Sequence, residues 1–407
     1  MENKSCEQRA LEGYMNASFT LLLNDEEAAA VLHYLWHSDL RKPLIQDELL
    51  LWLFTVGLAL LFVLGVVGNL STVIVVHSVS ALHSTTNFFL ANLAVADLLL
   101  ILFGVPADMW YLWYPKRFMG GSSTAFCIMK GTILGSATNA AILTILAMSL
   151  ERYVAICHPF RQHLFCKRPA IRYYIGLIWL GSVGAGGAVA GQFSVAVEEV
   201  VVGAASVCSR PAPVITTCNL DPAKALPYTF EVSVVLLFFL PMGLVVYFYS
   251  RLLRKLKASG ASLEEVERVS LVAGRRLPPE LSRGTRVAQR MVVRMLAVVV
   301  CLFFLCYLPF HLQRIYMQYT TCSDNTQHWA GICYLLPYWW GLAGVMHYVS
   351  AAANPVLYNL MSVRIRVAFV MVFRKALNQE RRKDAHRTAK KVRYKKTSKC
   401  LVLQQDG

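Results

Sequence analysis

The sequence predicts an all-α membrane protein, a bundle of seven transmembrane helices with a short amphipathic helix after the seventh span. Two observations carry this. Of 407 residues, 56% are hydrophobic and only 16% charged, a balance too apolar for a water-soluble domain. The apolar residues also gather into seven runs, near 50–77, 86–112, 124–157, 170–193, 227–256, 286–318 and 334–360, each long enough to cross a hydrocarbon core of about 30 Å. The runs are continuous and do not alternate, so they read as helices and not as the strands of a barrel. The third, fifth and sixth exceed a bare span and are expected to project into the cytoplasm.

These runs divide the chain into an extracellular N-terminal segment (1–49), a seven-transmembrane domain (50–361), an amphipathic cytoplasmic helix (362–377) and a basic cytoplasmic tail (378–407). Arg251, Arg254, Lys255 and Lys257 after the fifth run, and Arg381 through Lys399 after the seventh, carry much of the net charge of +16. Positive segments stay in the cytoplasm, which puts the N-terminus outside and makes the protein a multi-pass component of the plasma membrane. Asn3 and Asn16 head Asn-x-Ser sequons that are glycosylation sites on that side. No cleavable signal peptide is expected, so the first run starts insertion itself. In 362–377, Ile365, Ala368, Phe369 and Val372 share a face, with Arg364, Arg366, Arg374 and Lys375 elsewhere, a pattern suited to lying in the membrane interface. The tail lysines and arginines read equally as topology determinants or as contacts to anionic membrane lipids, and a nucleic-acid partner is not expected. Of eleven cysteines, Cys6, Cys127, Cys208, Cys218, Cys322 and Cys333 fall outside, where disulfides form, and no spacing suggests a metal site.

Stranding an ionisable group in lipid costs several kcal/mol, so each one within a span is a functional candidate. Asp97 lies mid-span in the second run, with Asn69 in the first and Asn354 in the seventh at comparable depth, and a buried hydrogen-bond network is expected among them. A structural bond between helices is the reading for Asn69, a switchable site that for Asp97. At the end of the third run, Glu151-Arg152-Tyr153 sets an arginine beside an acid, either a releasable contact or a side chain reaching for the interface. Pro241, Pro309 and Pro355 each remove a helical hydrogen bond, and are expected to interrupt and bend the last three spans.

The ordered set Gly68-Asn69, Leu93-Ala94-Val95-Ala96-Asp97, Glu151-Arg152-Tyr153, Trp179, Pro241, Cys306-Tyr307-Leu308-Pro309 and Asn354-Pro355-Val356-Leu357-Tyr358 resembles the rhodopsin-like (class A) G-protein-coupled receptors over about residues 50–376. Glu151 through Arg161, Phe239-Leu240-Pro241-Met242, and Pro309-Phe310-His311 followed by Arg314 resemble in particular the neuromedin U and pyrokinin group of peptide receptors. The resemblance implies an extracellular neuropeptide ligand, C-terminally amidated, and a heterotrimeric G protein of the Gq type, with arrestin as a further candidate partner. It implies that Arg152, Tyr249 and Tyr358 rearrange to open a cytoplasmic cavity, that Pro241, Ile142 and Phe303 relay movement from the ligand pocket, and that Phe160 inserts into the G protein. It implies a disulfide from Cys127 to Cys218, with Cys208 the alternative, while Cys322 and Cys333 could close the third outer loop. No cofactor is implied except a sodium ion at Asp97, against which counts Ala141, standing where a serine ligand is usual. Tyr307 replaces the tryptophan usual at the toggle position of the sixth span, and Gln289 replaces an acidic partner of the arginine, leaving Glu151 alone to restrain Arg152.

The expected ligand site comprises Asp108, Lys130, Glu231, His311, Arg314, Tyr338 and Trp340, with Arg314 and Asp108 as electrostatic anchors at the outer ends of their helices. The plainer reading is that these two bond each other or an outer loop. An acidic residue that neuromedin-type receptors place in the third helix is Gly135 here. Other function classes fit less well: a class A receptor for a non-peptide ligand is the nearest alternative, followed by a transporter, which would want charges lining a path and related halves. A retinal photoreceptor needs a lysine within the seventh run, which has none between Cys333 and Tyr358. An enzyme is not expected, since His311 and His347 lack partners for catalysis.

Overall fold

The computed structural model describes residues 42–158, 168–199, 214–255, 280–319, 330–361 and 363–375. Its helices are α1 (Glu48–Ser78), α2 (Thr85–Trp113), α3 (Thr124–Cys157), α4 (Arg168–Ala190), α5 (Thr229–Lys255), α6 (Glu280–Tyr319), α7 (Ala330–Met361) and α8 (Val363–Lys375). The first three begin on capping side chains that accept from otherwise unpaired backbone amides: Asp47 from Leu50 at 2.9 Å, Ser84 from Asn87 at 3.4 Å and Ser123 from Phe126 at 3.2 Å. Each of α1 to α6 contains a stretch long and apolar enough to cross a membrane; α7 meets that test together with α8, from which it turns by 93°. Leu53, Leu60, Val63, Leu64 and Val67 of α1 face outward, as helices do where lipid is the solvent.

Small residues set the closest helix approach. A Cβ built on Gly186 of α4 would lie 2.8 Å from the backbone nitrogen of Ser136, and one on Gly135 of α3 3.3 Å from the Gly186 Cα, so the two backbones touch. Gly135 is therefore a packing position that a larger side chain would force apart.

The prolines do not break the helical course of α6 and α7. Helices α6 and α7 run on through Pro309 and Pro355, whereas α5 loosens into a π-helical stretch, Val235–Phe239, just before Pro241. Such an extra-residue turn is one way a helix accommodates a lost amide donor.

Between α4 and α5 lies a hairpin that the sequence reading did not foresee. Strands β1 (Phe193–Glu199) and β2 (Val214–Leu220) pair antiparallel, with Val195 opposite Cys218. Cys218 forms a disulfide with Cys127, buried in the first turn of α3, at a Cα separation of 5.9 Å. The Phe118 amide donates to the Thr216 carbonyl at 2.8 Å, so the hairpin is tied both to α3 and to the loop before it. Cys208 and Cys322, the side chain of Cys333, and the sequons at Asn3 and Asn16 lie outside the described residues.

The main core joins Leu93, Ala140, Ile142, Phe238, Phe303, Tyr307 and Tyr358 from α2, α3, α5, α6 and α7. On α8, Ile365 and Ala368 are buried against the same cluster, with Phe369 and Val372 packed beside them and Arg364, Arg366, Arg374 and Lys375 exposed.

Candidate functional site

Three polar layers run through the bundle. At the cytoplasmic end of α3, the Arg152 guanidinium folds back on Glu151: Nε donates to Oε2 and Nη2 to Oε1, each at 2.5 Å. A two-point pair of this kind is among the strongest hydrogen-bonded contacts. Thr86 of α2 joins it, donating to Glu151 Oε2 at 3.1 Å and accepting from Arg152 Nη2. Tyr153 stacks on Phe248 of α5 with ring centroids 5.1 Å apart. Tyr249 and Tyr358 are buried below the core, their hydroxyls without a hydrogen-bond partner among the described residues. Phe160 lies outside the described residues.

The middle layer centres on Asp97. Asn354 of α7 donates to its Oδ2 at 2.8 Å, while Asn69 of α1 spends its amide on the carbonyls of Gly65 and Ala351 at 2.9 and 3.0 Å. Asp97 and Asn354 thus meet directly, while Asn69 joins α1 to α7 through backbone and not through Asp97. Directly above, Tyr307 is fully buried, stacked on Phe303 at 3.7 Å and met edge-on by His347 at 4.4 Å. Ile142, Pro241 and Phe303 are all buried, and Ile142 and Phe303 share the main core.

The outer layer holds two separate charges. Arg314 lies between the rings of Phe230 and Phe310, its guanidinium carbon 5.3 and 5.5 Å from their centroids. Stacking of this sort leaves the in-plane N–H donors available for an acceptor. Beneath it, His311 packs on Phe238 at 4.4 Å and His347 on Phe310 at 4.4 Å. Both imidazoles are buried, with Nε2 lacking a partner among the described residues. Asp108 accepts from the Tyr348 hydroxyl at 2.7 Å. It also interacts through space with Lys130, whose ammonium sits 5.4 Å from the Phe118 ring centre. Asp108 and Arg314 do not bond each other.

The rhodopsin family of seven-transmembrane receptors matches residues 68–358. The chain belongs to that family. It is 31% identical over 355 residues to the pyrokinin-1 receptor of Drosophila melanogaster, covering 78% of this chain and 79% of that one. With neuromedin-U receptor 2 of Mus musculus it shares 30% over 370 residues, covering 91% and 83% respectively. With growth hormone secretagogue receptor type 1 of Homo sapiens it shares 33% over 321 residues, covering 76% and 77%. It is thus a class A G-protein-coupled receptor of the neuromedin U and pyrokinin group, a receptor and not an enzyme.

The receptor's outer aromatics Tyr338, Trp339 and Trp340 take different neighbours. Trp339 turns to Tyr316 of α6, with centroids 5.4 Å apart, whereas Tyr338 and Trp340 pack with Ile45, Leu51 and Leu112 beside α1 and α2. Glu231 lies in the first turn of α5, next to Phe230. Sequence reading missed Tyr348, the partner of Asp108. A Cβ on Gly104 would lie 2.5 Å from its hydroxyl, so that glycine clears its path. The available signal was the polar pair His347-Tyr348 inside an apolar span. Also missed was the bridge in which Asn92 donates to Thr144 at 2.8 Å and accepts from Trp179 at 2.9 Å, joining α2, α3 and α4.

Because Glu151 and Thr86 hold Arg152 in place, Glu151→Gln is expected to raise ligand-independent signalling several-fold. Inositol phosphate accumulation at matched surface expression measures it, and a basal level equal to that of the unsubstituted receptor would remove the restraining role.

Proposed function

We propose that this receptor binds an extracellular neuropeptide, C-terminally amidated, and activates a heterotrimeric G protein of the Gq type from the plasma membrane. The observation that carries the ligand half is Arg314, a cation packed against two phenyl rings near the outer end of α6. A half-buried guanidinium gains from a well-placed acceptor, and a carbonyl, amide or carboxylate of a bound peptide supplies one. The relatives' names add that comparable chains bind neuromedin U or pyrokinin, both peptides.

The ligand enters from the side of the β1–β2 hairpin, with the N-terminus outside. Arg314 and His311 face one part of it; Asp108 and Lys130, some way around the bundle, face another, and Glu231 lies at the margin near Phe230. Tyr338 and Trp340 frame the outer rim beside α1 and α2. Binding shifts the Tyr307 and Phe303 stack, and α6 swings from the core so that Arg152 leaves Glu151 and Thr86. The opened cavity then takes the G protein, with Phe160 at its contact, and afterwards arrestin. Helix α8 lies along the inner leaflet with Arg364, Arg366, Arg374 and Lys375 toward lipid headgroups.

Cells expressing the receptor, challenged with a panel of synthetic C-terminally amidated neuropeptides, are expected to release intracellular calcium to at least one of them. Silence across the panel, with surface display verified, would overturn the peptide reading.

A further inference from the structure

The resemblance implies a sodium ion at Asp97, and the residues around Asp97 do not fit one. A hard cation wants several oxygen ligands at once. On α3 at this depth stand Ala137, Ala140 and Ala141, all buried: Ala137 clusters with Leu100 and Ile101 of α2, and Ala140 and Ala141 with Leu93 and Ala96. Ala351 of α7 adds another methyl. The Ser350 hydroxyl donates to the His347 carbonyl at 2.9 Å, which leaves it one oxygen to offer a cation beside these alanines, and Asn354 presents its amide nitrogen, a donor, to Asp97.

What the surroundings do present is hydroxyl groups. The Tyr307 and Tyr358 hydroxyls, Asp97 Oδ1 and Asn69 Oδ1 are all buried, and none has a hydrogen-bond partner among the described residues. Two of these four atoms are acceptors that cannot donate, and the other two carry O–H donors. Both tyrosines lie within electrostatic range of Asp97, and Ser350 is a neighbour of the Tyr307 hydroxyl. Buried polar atoms are paired in nearly all native structures, through ordered water where they do not touch. A carboxylate that receives the Asn354 amide and tyrosine hydroxyls is served by donors, the role a cation would otherwise fill.

We propose that the Tyr307 hydroxyl, with that of Tyr358, serves Asp97 as a hydrogen-bond donor through bound water, and that this receptor does not use sodium at Asp97. The substitution of tyrosine for tryptophan at position 307 then has a specific consequence. The ring contacts pocket residues, with His347 at 4.4 Å and Phe303 at 3.7 Å, while its hydroxyl engages the network below. Movement of the pocket floor is passed to Asp97 by a hydrogen bond and not by side-chain bulk alone. This inference rests on the receptor assignment, and it stands whether or not the ligand is a peptide.

The test needs no agonist. The melting temperature of the purified full-length receptor is measured in sodium chloride and in choline chloride at equal ionic strength, for the receptor as it is and for Tyr307→Phe, Asp97→Asn and the double variant. A ligand that binds only the folded state raises the midpoint, so equal midpoints in the two salts are expected. Tyr307→Phe is expected to lower the midpoint by about 2 °C or more, and by clearly less in the Asp97→Asn background, where the charge needing a donor is gone. That coupling is what a merely space-filling tyrosine would not show. A midpoint higher in sodium than in choline would overturn the exclusion of sodium; equal losses in both backgrounds would overturn the hydroxyl's role. If Tyr307→Phe does not yield folded protein, Tyr358→Phe supplies the same cycle with the same two outcomes.

Discussion

Arg152→Ala is expected to abolish agonist-driven calcium release while leaving the receptor at the cell surface. In the structure the guanidinium is neutralised by Glu151 through two bonds of 2.5 Å and is held sideways by Thr86. A two-point charged pair is stable, yet Thr86 competes for the same Glu151 oxygen, and the group stands at the water interface where a new partner can reach it. Such a contact is suited to having two arrangements. Release of Arg152 supplies a cation with five donors to the cytoplasmic cavity, and alanine supplies none. The same substitution also frees Glu151, so basal signalling alone is an ambiguous readout. Agonist-driven calcium release at matched surface expression is the deciding one, and full signalling from Arg152→Ala would show that coupling does not pass through this residue.

The spans were legible because bilayer thickness fixes how long an apolar run must be. The expected third span, 124–157, matches α3 (Thr124–Cys157), and the first differs from α1 (Glu48–Ser78) only at its margins. The β1–β2 hairpin was not, since its strands lie between spans, where no membrane constrains composition, and Phe193 reads as a continuation of α4. Asp97 and Asn354 could be paired from sequence because each is expensive in lipid and the two share a depth. Thr86 could not: threonine is common in membrane helices, and its bond to Glu151 depends on the rotation of α2 against α3. The placement of α7 decides likewise that Tyr338 and Trp340 pack beside α1 and α2 while Trp339 meets α6. Gly135, read as a lost acid of the ligand site, owes its identity to the contact with Gly186, which no single-helix pattern displays.

Arg314→Ala and Asp108→Ala carry the second large expectation. Arg314 packs against the rings of Phe230 and Phe310, and a guanidinium bonds a planar acceptor at two points through its edge. Asp108 uses one lone pair on Tyr348, and a carboxylate has roughly four such sites, so a basic ligand group can still be bound. Each charge-assisted contact contributes about 1.5–3 kcal/mol when desolvated, and about 1.4 kcal/mol is a tenfold change in affinity. The most direct measurement is the potency of the strongest amidated peptide from the panel on Arg314→Ala and Asp108→Ala at matched surface expression. A rightward shift of roughly tenfold or more is expected in each; unchanged potency in both would contradict a peptide site at the outer ends of α2 and α6.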